Sequence, residues 1–310
     1  MPHPSGQGHH RKGRLNGSRR RMQRVWLLSF IALALRGQTL TGAIDMHAHS
    51  DPDGSPRSID AIDLARLAKS RGMRAIVLKN HYEPTASLAY AVRKEVPGIE
   101  VFGGISLDLT VGGVNPAAVE WMTKVKGGYG KVVWMPTFDS EHEVSESGQN
   151  RPFARVAQNG KLVPEVLQVI SIVAKNNLVL ETGHSSPSEA LLIIQEARRQ
   201  GVRNIMVTHA MSRQVGMSIP EMQEAAKLGA YLEFVWVRPD SDAARAYVKA
   251  IREIGPEHCV LSSDLGQVGN PLHPDGLLQL YEYLKGQGFS EAEIDQMSKV
   301  NPARLLGLQP

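Results

Sequence analysis

One cysteine stands among 310 residues, so no internal disulfide can form. That agrees with a reducing compartment without excluding an oxidising one. Cys259 opens the apolar triplet Cys-Val-Leu and reads as a core residue. Aromatic side chains are scarce, 5 % against 42 % apolar overall, so aliphatic residues must fill a core sized for one large or two ordinary domains. Acidic residues are missing from positions 1–44, which carry eight Lys or Arg (Arg11, Lys12, Arg14, Arg19, Arg20, Arg21, Arg24, Arg36). The formal charge of +4 is therefore a property of this leader; the remainder holds 27 basic and 31 acidic residues. A nucleic-acid partner normally needs a basic face, and the charge balance of this mildly acidic body gives no support for one.

A long apolar run is missing where the leader comes closest to one. Val25 to Leu35 is eleven residues, about 16 Å of helix against a bilayer core of about 30 Å. With its basic flank it matches the apolar centre of a signal peptide, at about 22–36, with Ala32 and Ala34 as loose cleavage-site residues. The expectation is export to the periplasm or beyond, with no stable membrane association after signal removal. The alternative is an N-terminal helix packed on the body of a cytoplasmic protein. Met22 is a second candidate start, and residues 1–21 are too polar and Gly/Pro-rich to order themselves.

Nucleotide-cradling loops are absent too: no G-x-G-x-x-G follows the first strand, and no P-loop occurs. This removes the positive case for a doubly wound sheet. From Ala43 onward a short apolar run ending in polar residues alternates with an amphipathic, helix-length stretch. The runs 43–49, 75–81, 100–108, 131–137, 178–184, 204–210, 230–237 and 259–266 are predicted strands. Helices are predicted at about 58–71, 84–96, 116–126, 164–176, 187–200, 218–228, 241–254 and 275–287, with a last one at 290–306. Ser58, Asn115-Pro116 and Ser186-Pro187 are start signals, and Gly72, Gly201, Gly229 and Gly288 are stop signals. Eight βα units are the content of an α/β (β/α)8 barrel over residues 43–310. The one long connection, 138–163, is polar and has the length of a lid or specificity loop.

A barrel works at the C-terminal ends of its strands. Those ends read Asp45-Met-His-Ala-His49, Lys79-Asn-His81, Ser106-Leu-Asp108, Met135-Pro-Thr137, Glu181-Thr-Gly-His184, Val207-Thr-His209, Glu233, and Ser262-Ser-Asp264. Five of the eight histidines beyond the leader fall here. Alternation along a strand points His47 and His49 to one face. His184 and His209 come from neighbouring strands, and Asp264 returns beside the first strand when the barrel closes. Imidazoles with a carboxylate suit zinc, and also manganese, iron or nickel. Asp264 is placed to take a proton from an activated water. Lys79 and His81 share a face, with His81 a candidate for stabilising an oxyanion, orienting substrate or supporting a neighbour. Asn80, Thr137, Glu233 and Gln267 are candidate substrate contacts, Glu181 supports a ligand, and His142, His258 and His273 read as solvated loop residues.

H-x-H after the first strand, His after the fifth and sixth, and Asp after the eighth resemble the amidohydrolase superfamily. The ending Asn301-Pro-Ala-Arg-Leu-Leu-Gly307 is similar to the closing segment of many members. The runs Leu78–His81, Val133–Thr137, Thr182–Ser185 and Ser262–Gln267 look like a little-characterised amidohydrolase-related family. The resemblance implies a metal-dependent hydrolase acting on a C–N, lactone or ester bond of a small molecule. His47 and His49 would bind a buried metal, and His184 and His209 a second metal or the first. Asp264 would be ligand and general base. The carboxylated Lys or Glu that many members carry after the fourth strand is missing, since that strand ends Trp134-Met-Pro-Thr137. Lys79 then either bridges two metals as a carbamate or remains a cation beside one.

Rival readings are metal-dependent decarboxylation or C–C cleavage of an aromatic acid, with Lys79, Arg151, Arg155 or Arg238 holding a carboxylate, then phosphoester hydrolysis, then a non-catalytic ligand-binding barrel. Oligomeric state is open, a homo-oligomer included.

Overall fold

The computed structural model describes residues 39–309. The signal-peptide expectation at 22–36 lies outside them. The strands are β1 (Ile44–Ala48), β2 (Ala75–Leu78), β3 (Glu100–Ser106), β4 (Gly130–Trp134), β5 (Ala157–Gln158), β6 (Lys161–Leu162), β7 (Val179–Glu181), β8 (Asn204–Val207), β9 (Tyr231–Phe234) and β10 (Cys259–Leu261). Eight of them form one parallel sheet in the order β1-β2-β3-β4-β7-β8-β9-β10, while β5 and β6 pair separately as a short hairpin. The sheet closes on itself beyond β10. Asp264 donates its N–H to the His47 carbonyl at 2.8 Å, and His49 donates to Leu265 at 2.9 Å. The eight expected strands and the (β/α)8 class are all present. The ladders of β2, β8 and β10 stop at Leu78, Val207 and Leu261, before the polar residues, while Ser106, Glu181 and Glu233 are still paired.

The helices are α1 (Ala61–Ser70), α2 (Ala86–Glu95), α3 (Pro116–Thr123), α4 (Glu141–Glu146), α5 (Pro164–Lys175), α6 (Pro187–Arg199), α7 (Ile219–Lys227), α8 (Asp242–Ile254), α9 (His273–Gly286), α10 (Glu291–Asp295) and α11 (Asn301–Leu306). Local chemistry sets their starts. Asn115 accepts from the N–H groups of Ala117 and Ala118 ahead of Pro116, and Ser186 and Glu189 form a capping box around Pro187. The start of α1 is corrected: Asp60, not Ser58, caps it, accepting from Ile62 and Asp63. The last expected helix is broken into α10, a wide-turn segment Gln296–Val300, and α11. Among the described residues no helix is long and apolar enough to cross a membrane.

Two apolar layers build the body. The larger lies between strands and helices and holds Ile76, Leu78, Val133, Leu180, Ile205, Leu232 and Leu261. The smaller fills the barrel interior with Ile44, Met46, Val77, Phe102, Trp134, Val179, Met206 and Val260, joined by Ala303, Leu305 and Leu306 of α11. Cys259 is buried in the outer layer, its thiol 3.3 Å from the Gly255 carbonyl, as expected of a core residue.

β1 breaks the alternation in one place, and this positions the site. Its register with β2 runs Ile44 opposite Ala75, Asp45 opposite Ile76, then Ala48 opposite Leu78. Two residues, Met46 and His47, thus face the single residue Val77, which is a β-bulge. Asp45 and Ala48 both pair with outward residues, while Ile44 and Met46 lie in the interior group. Strict alternation from Ile44 would turn His47 outward, toward the helices. The bulge adds one step, so His47 and then His49 point into the mouth.

The long connection 138–163 carries short elements of its own. It contains α4 and the β5–β6 hairpin. Arg151 holds the Asp139 carboxylate and the Phe138 carbonyl, and Arg155 grips Glu141 through two contacts of 2.6 Å. The Ser140 hydroxyl donates to the His184 carbonyl at 2.9 Å, tying this segment to the site.

Candidate metal centre

Two strand ends, those of β1 and β10, meet at one point. His47 Nε2 and His49 Nε2 each lie 3.1 Å from the same carboxylate oxygen, Asp264 Oδ1. These three form a group able to hold a metal ion. Both histidines are buried, and the Asp264 side chain is 27 % exposed. Asp264 is therefore the member of the group that faces incoming molecules. His184 and His209 stand beside it with ring centroids 5.0 Å apart, and His209 is 5.8 Å from His47. His81 stacks on His49 at 4.9 Å. All five strand-end histidines thus form one connected set of rings. His209 and Asp264 take positive φ, 24° and 49°, a conformation that costs non-glycine residues energy and gathers at functional sites.

Each ring is oriented from behind. Glu233, fully buried, receives His47 Nδ1 at 3.2 Å and the His209 N–H at 2.8 Å on the same oxygen. Its place is beneath the imidazoles, holding two of them, rather than on a surface that substrate reaches. The Ser212 hydroxyl is 2.6 Å from His209 Nδ1. His81 Nδ1 lies 2.8 Å from Thr137 Oγ1, and that hydroxyl donates to Asp108, whose other oxygen accepts the N–H groups of Thr137 and Asp139. Thr137 must then accept from His81 Nδ1–H, so His81 Nε2 carries the lone pair. In this tautomer His81 accepts a proton or binds a cation and cannot donate to an oxyanion.

Asn80 and Gln267 are also bracing groups. Asn80 Nδ2 donates to the Pro52 carbonyl at 2.7 Å, and Gln267 Nε2 to the Asp264 carbonyl at 2.8 Å. Of the arginines considered for holding a carboxylate, Arg151 and Arg155 are engaged with Asp139 and Glu141, and Arg238 is exposed. His142 is half-buried on α4, and His258 is half-buried ahead of β10.

The expectation of a solvated His273 is corrected. It is the first residue of α9, buried, with Nε2 2.9 Å from the His49 carbonyl. Burial pushes its pKa down to about 4. It is therefore neutral inside the fold and gains a proton on unfolding below its ordinary value near 6.5. Unfolded chains bind the extra proton, so stability rises with pH: the contribution is complete above pH 6.5 and is lost as pH falls toward 4. The expected loss is about 3 kcal/mol across that window. Urea unfolding at pH 7 and pH 5 should show a smaller acid loss in His273→Gln, whose amide can still donate to His49.

Burial likewise holds His49, His81 and His184 well below the ordinary histidine range, and His209 at about 4. These rings are neutral at pH 7, the form that binds metal. His47 differs. Burial and the Lys79 ammonium pull its pKa down, but the Asp264 and Glu233 carboxylates outweigh them and raise it to about 9. A proton on His47 supplies positive charge between two carboxylates, a place that a divalent ion would fill by displacing it. Lys79 is fully buried, its Nζ without a hydrogen-bond partner among the described residues and 5.7 Å from the Trp134 ring centre. Burial lowers its pKa, while Asp264, Glu181 and Glu233 oppose that. Burial, with Glu233 nearby, pushes Glu181 up to about 8. His49 Nδ1, His184 Nδ1, Glu181 Oε1 and Glu233 Oε1 also lack hydrogen-bond partners among the described residues. Neutral imidazoles, a carboxylate and several unsatisfied buried polar atoms in one mouth fit a divalent cation.

Two positions escape single-sequence reading. Glu143 on α4 reaches His184, with Oε2 3.7 Å from Nδ1, and no strand-end pattern points to it. Gly183 lets the chain after β7 pass against the chain after β4: φ is +61°, and an added Cβ would collide with the Met135 and Pro136 carbonyl oxygens. Gly183→Ala should cost about 3 kcal/mol from the combined clash and backbone strain. Urea unfolding measures that cost, and His184 should be displaced with it.

The fold is a closed (β/α)8 barrel with a histidine-rich mouth. Residues 42–233, more than half of the chain, match the family of unknown function DUF6282. The chain belongs to that family. No curated protein matches it in sequence. Among solved structures it is similar to an amidohydrolase from Pseudomonas aeruginosa, 14 % identical over 85 % of this chain and 95 % of that one, with a TM-score of 0.58. It is also similar to the organophosphorus hydrolase from Deinococcus radiodurans, 15 % identical over 88 % and 98 %, TM-score 0.59. A third is a putative 2-pyrone-4,6-dicarboxylic acid hydrolase from Pseudomonas putida, 15 % identical over 87 % and 99 %, TM-score 0.58. At these identities the likeness is one of fold.

Proposed function

We propose that this chain is a metal-dependent hydrolase of a small molecule, attacking an amide, cyclic amide, lactone or ester bond with water and using Asp264 as general base. The observation that carries the reading is the convergence of His47 Nε2 and His49 Nε2 on one oxygen of Asp264, 3.1 Å from each, at the mouth of the barrel. His47, His49 and Asp264 would hold one divalent ion, zinc in this reading, with His184 and His209 completing its shell or holding a second. When bound, such an ion supplies Lewis acidity and brings the pKa of water toward 7.

The chain's own groups do the rest. Asp264 is ionised at neutral pH. Burial would raise its pKa, but His47 and the hydrogen bonds from His47 and His49 hold it well below the usual carboxylate range. Its exposure lets it receive a proton from water at the mouth. Glu233 fixes His47 and His209, and Ser212 fixes the His209 ring. Lys79 is read as an uncarboxylated ammonium opposite Glu233 and Asp264, since a carbamate would add negative charge where these carboxylates already gather. A pocket of about 360 Å³, lined by Met211, Ser212, Trp236 and Tyr247 among others, adjoins His209 through Ser212 and offers mostly apolar walls to a substrate.

Arg151 and Arg155 are engaged with Asp139 and Glu141, but Lys79 Nζ in the mouth has no hydrogen-bond partner among the described residues, so hydrolysis and decarboxylation are separated by their products. The deciding experiment loads the protein with zinc or manganese and assays lactones, esters, cyclic amides, phosphotriesters and aromatic acids. Hydrolytic product without carbon dioxide is expected. Carbon dioxide release, or metal-loaded protein inert toward every class, would overturn the reading. If the leader is a signal peptide the mature protein lies outside the cytoplasm, and otherwise inside it, which fractionation of cells expressing the full chain would test.

A further inference from the structure

We infer that Glu143, on the helix inside the 138–163 segment, is a positioning residue that sets the tautomer of His184; this rests on the metal centre proposed above. Glu143 Oε2 and His184 Nδ1 are 3.7 Å apart, both buried, and neither has a hydrogen-bond partner among the described residues. Two unsatisfied polar atoms facing each other, a few tenths of an ångström beyond bonding distance, are a contact waiting to tighten. Closing it requires Nδ1–H to donate to the carboxylate. That leaves the Nε2 lone pair of His184 free to bind a cation, and a carboxylate behind an imidazole raises its basicity as a ligand.

The other end of Glu143 is fixed. Its N–H is capped by Ser140 Oγ at 3.0 Å, the hydroxyl that also donates to the His184 carbonyl. Its Oε1 accepts from Arg213 at 3.1 Å. Arg213 follows Ser212, whose hydroxyl contacts His209. The segment over the mouth therefore reaches His184 through Glu143, and the loop after β8 latches that contact while touching His209. The polarity of the latch matters. Arg213 has only donors, so it demands an oxygen at Oε1. In Glu143→Gln the amide oxygen must face Arg213, which turns the NH2 toward His184 Nδ1. Nδ1 then has to accept, the ring proton moves to Nε2, and the ligand lone pair is lost.

The test uses full-length protein and cobalt(II) alone, reading affinity by chelator competition and ligand geometry by the visible d–d bands. Glu143→Gln should bind cobalt about 10- to 100-fold more weakly, with altered bands and an unchanged unfolding midpoint for the metal-free protein. Adding Arg213→Met to Glu143→Gln frees the amide to turn its oxygen toward His184, so affinity should recover at least severalfold. A merely structural role for Glu143 predicts no such recovery. Wild-type affinity and bands in Glu143→Gln, or a deeper loss in the double variant, would overturn the inference while leaving the metal centre intact. A wild-type chain that takes up no cobalt would overturn both.

Discussion

His47→Ala is expected to abolish metal retention and to lower activity by at least about a thousandfold. The imidazole is fully buried between Glu233 and Asp264, at 3.2 Å and 3.1 Å, and among the described residues it is the only ring within ion-pair distance of both carboxylates. Its removal takes away one ligand and the positive charge that the metal-free site keeps there. Glu233 and Asp264 are then left facing each other without a cation between them. A lost Lewis acid is worth several kcal/mol at the transition state, and 4 kcal/mol is about three powers of ten. Elemental analysis of wild type and variant, purified together, measures the first effect, and kcat/KM the second. The fold should survive, because Glu233 keeps its bond to the His209 N–H. A variant with full metal content and wild-type turnover would remove His47 from the centre.

Asp264→Asn is the second large expectation, and the choice of asparagine matters. Asp264 sits at φ 49°, a left-handed conformation that Asn adopts more readily than other non-glycine residues. Alanine would add backbone strain to the chemical loss; asparagine isolates the chemistry. The amide keeps an oxygen for His47 and His49 but cannot take a proton from water. General-base catalysis contributes about 10²–10⁴-fold, so kcat should fall in that range while metal content falls less than in His47→Ala. An Asp264→Asn enzyme with unchanged kcat would assign the base elsewhere, His81 Nε2 being the acceptor that the Thr137–Asp108 relay leaves available. The two variants thus separate holding the ion from moving the proton.

Much of the site was legible before any coordinate. Strand-end histidines are visible because apolar runs locate the strands and the barrel places function at their C-terminal ends. Asp264 follows from closure of the eighth strand on the first. The misreadings share one cause: a residue's neighbours in space are not its neighbours in sequence. Glu233 reads as a candidate substrate contact by its strand position, and only the structure shows that one of its oxygens holds both His47 Nδ1 and the His209 N–H. His273 looks like a loop histidine, yet it starts α9 against the His49 carbonyl. The 138–163 stretch reads as one long connection because α4 is six residues long and the hairpin strands are two each, too short for any periodicity to register.

By itself, the sequence determined the eight βα units, the mouth at which they end and the five histidines and one aspartate gathered there, because periodicity and turn chemistry are local. Tertiary structure alone decided which way His47 points. Alternation along β1 would have turned it outward, and the bulge opposite Val77, visible only in the pairing with β2, turns it in. It also decided that Glu143, remote in sequence from every strand end, stands behind His184, since that contact forms only when the segment after β4 folds over the mouth.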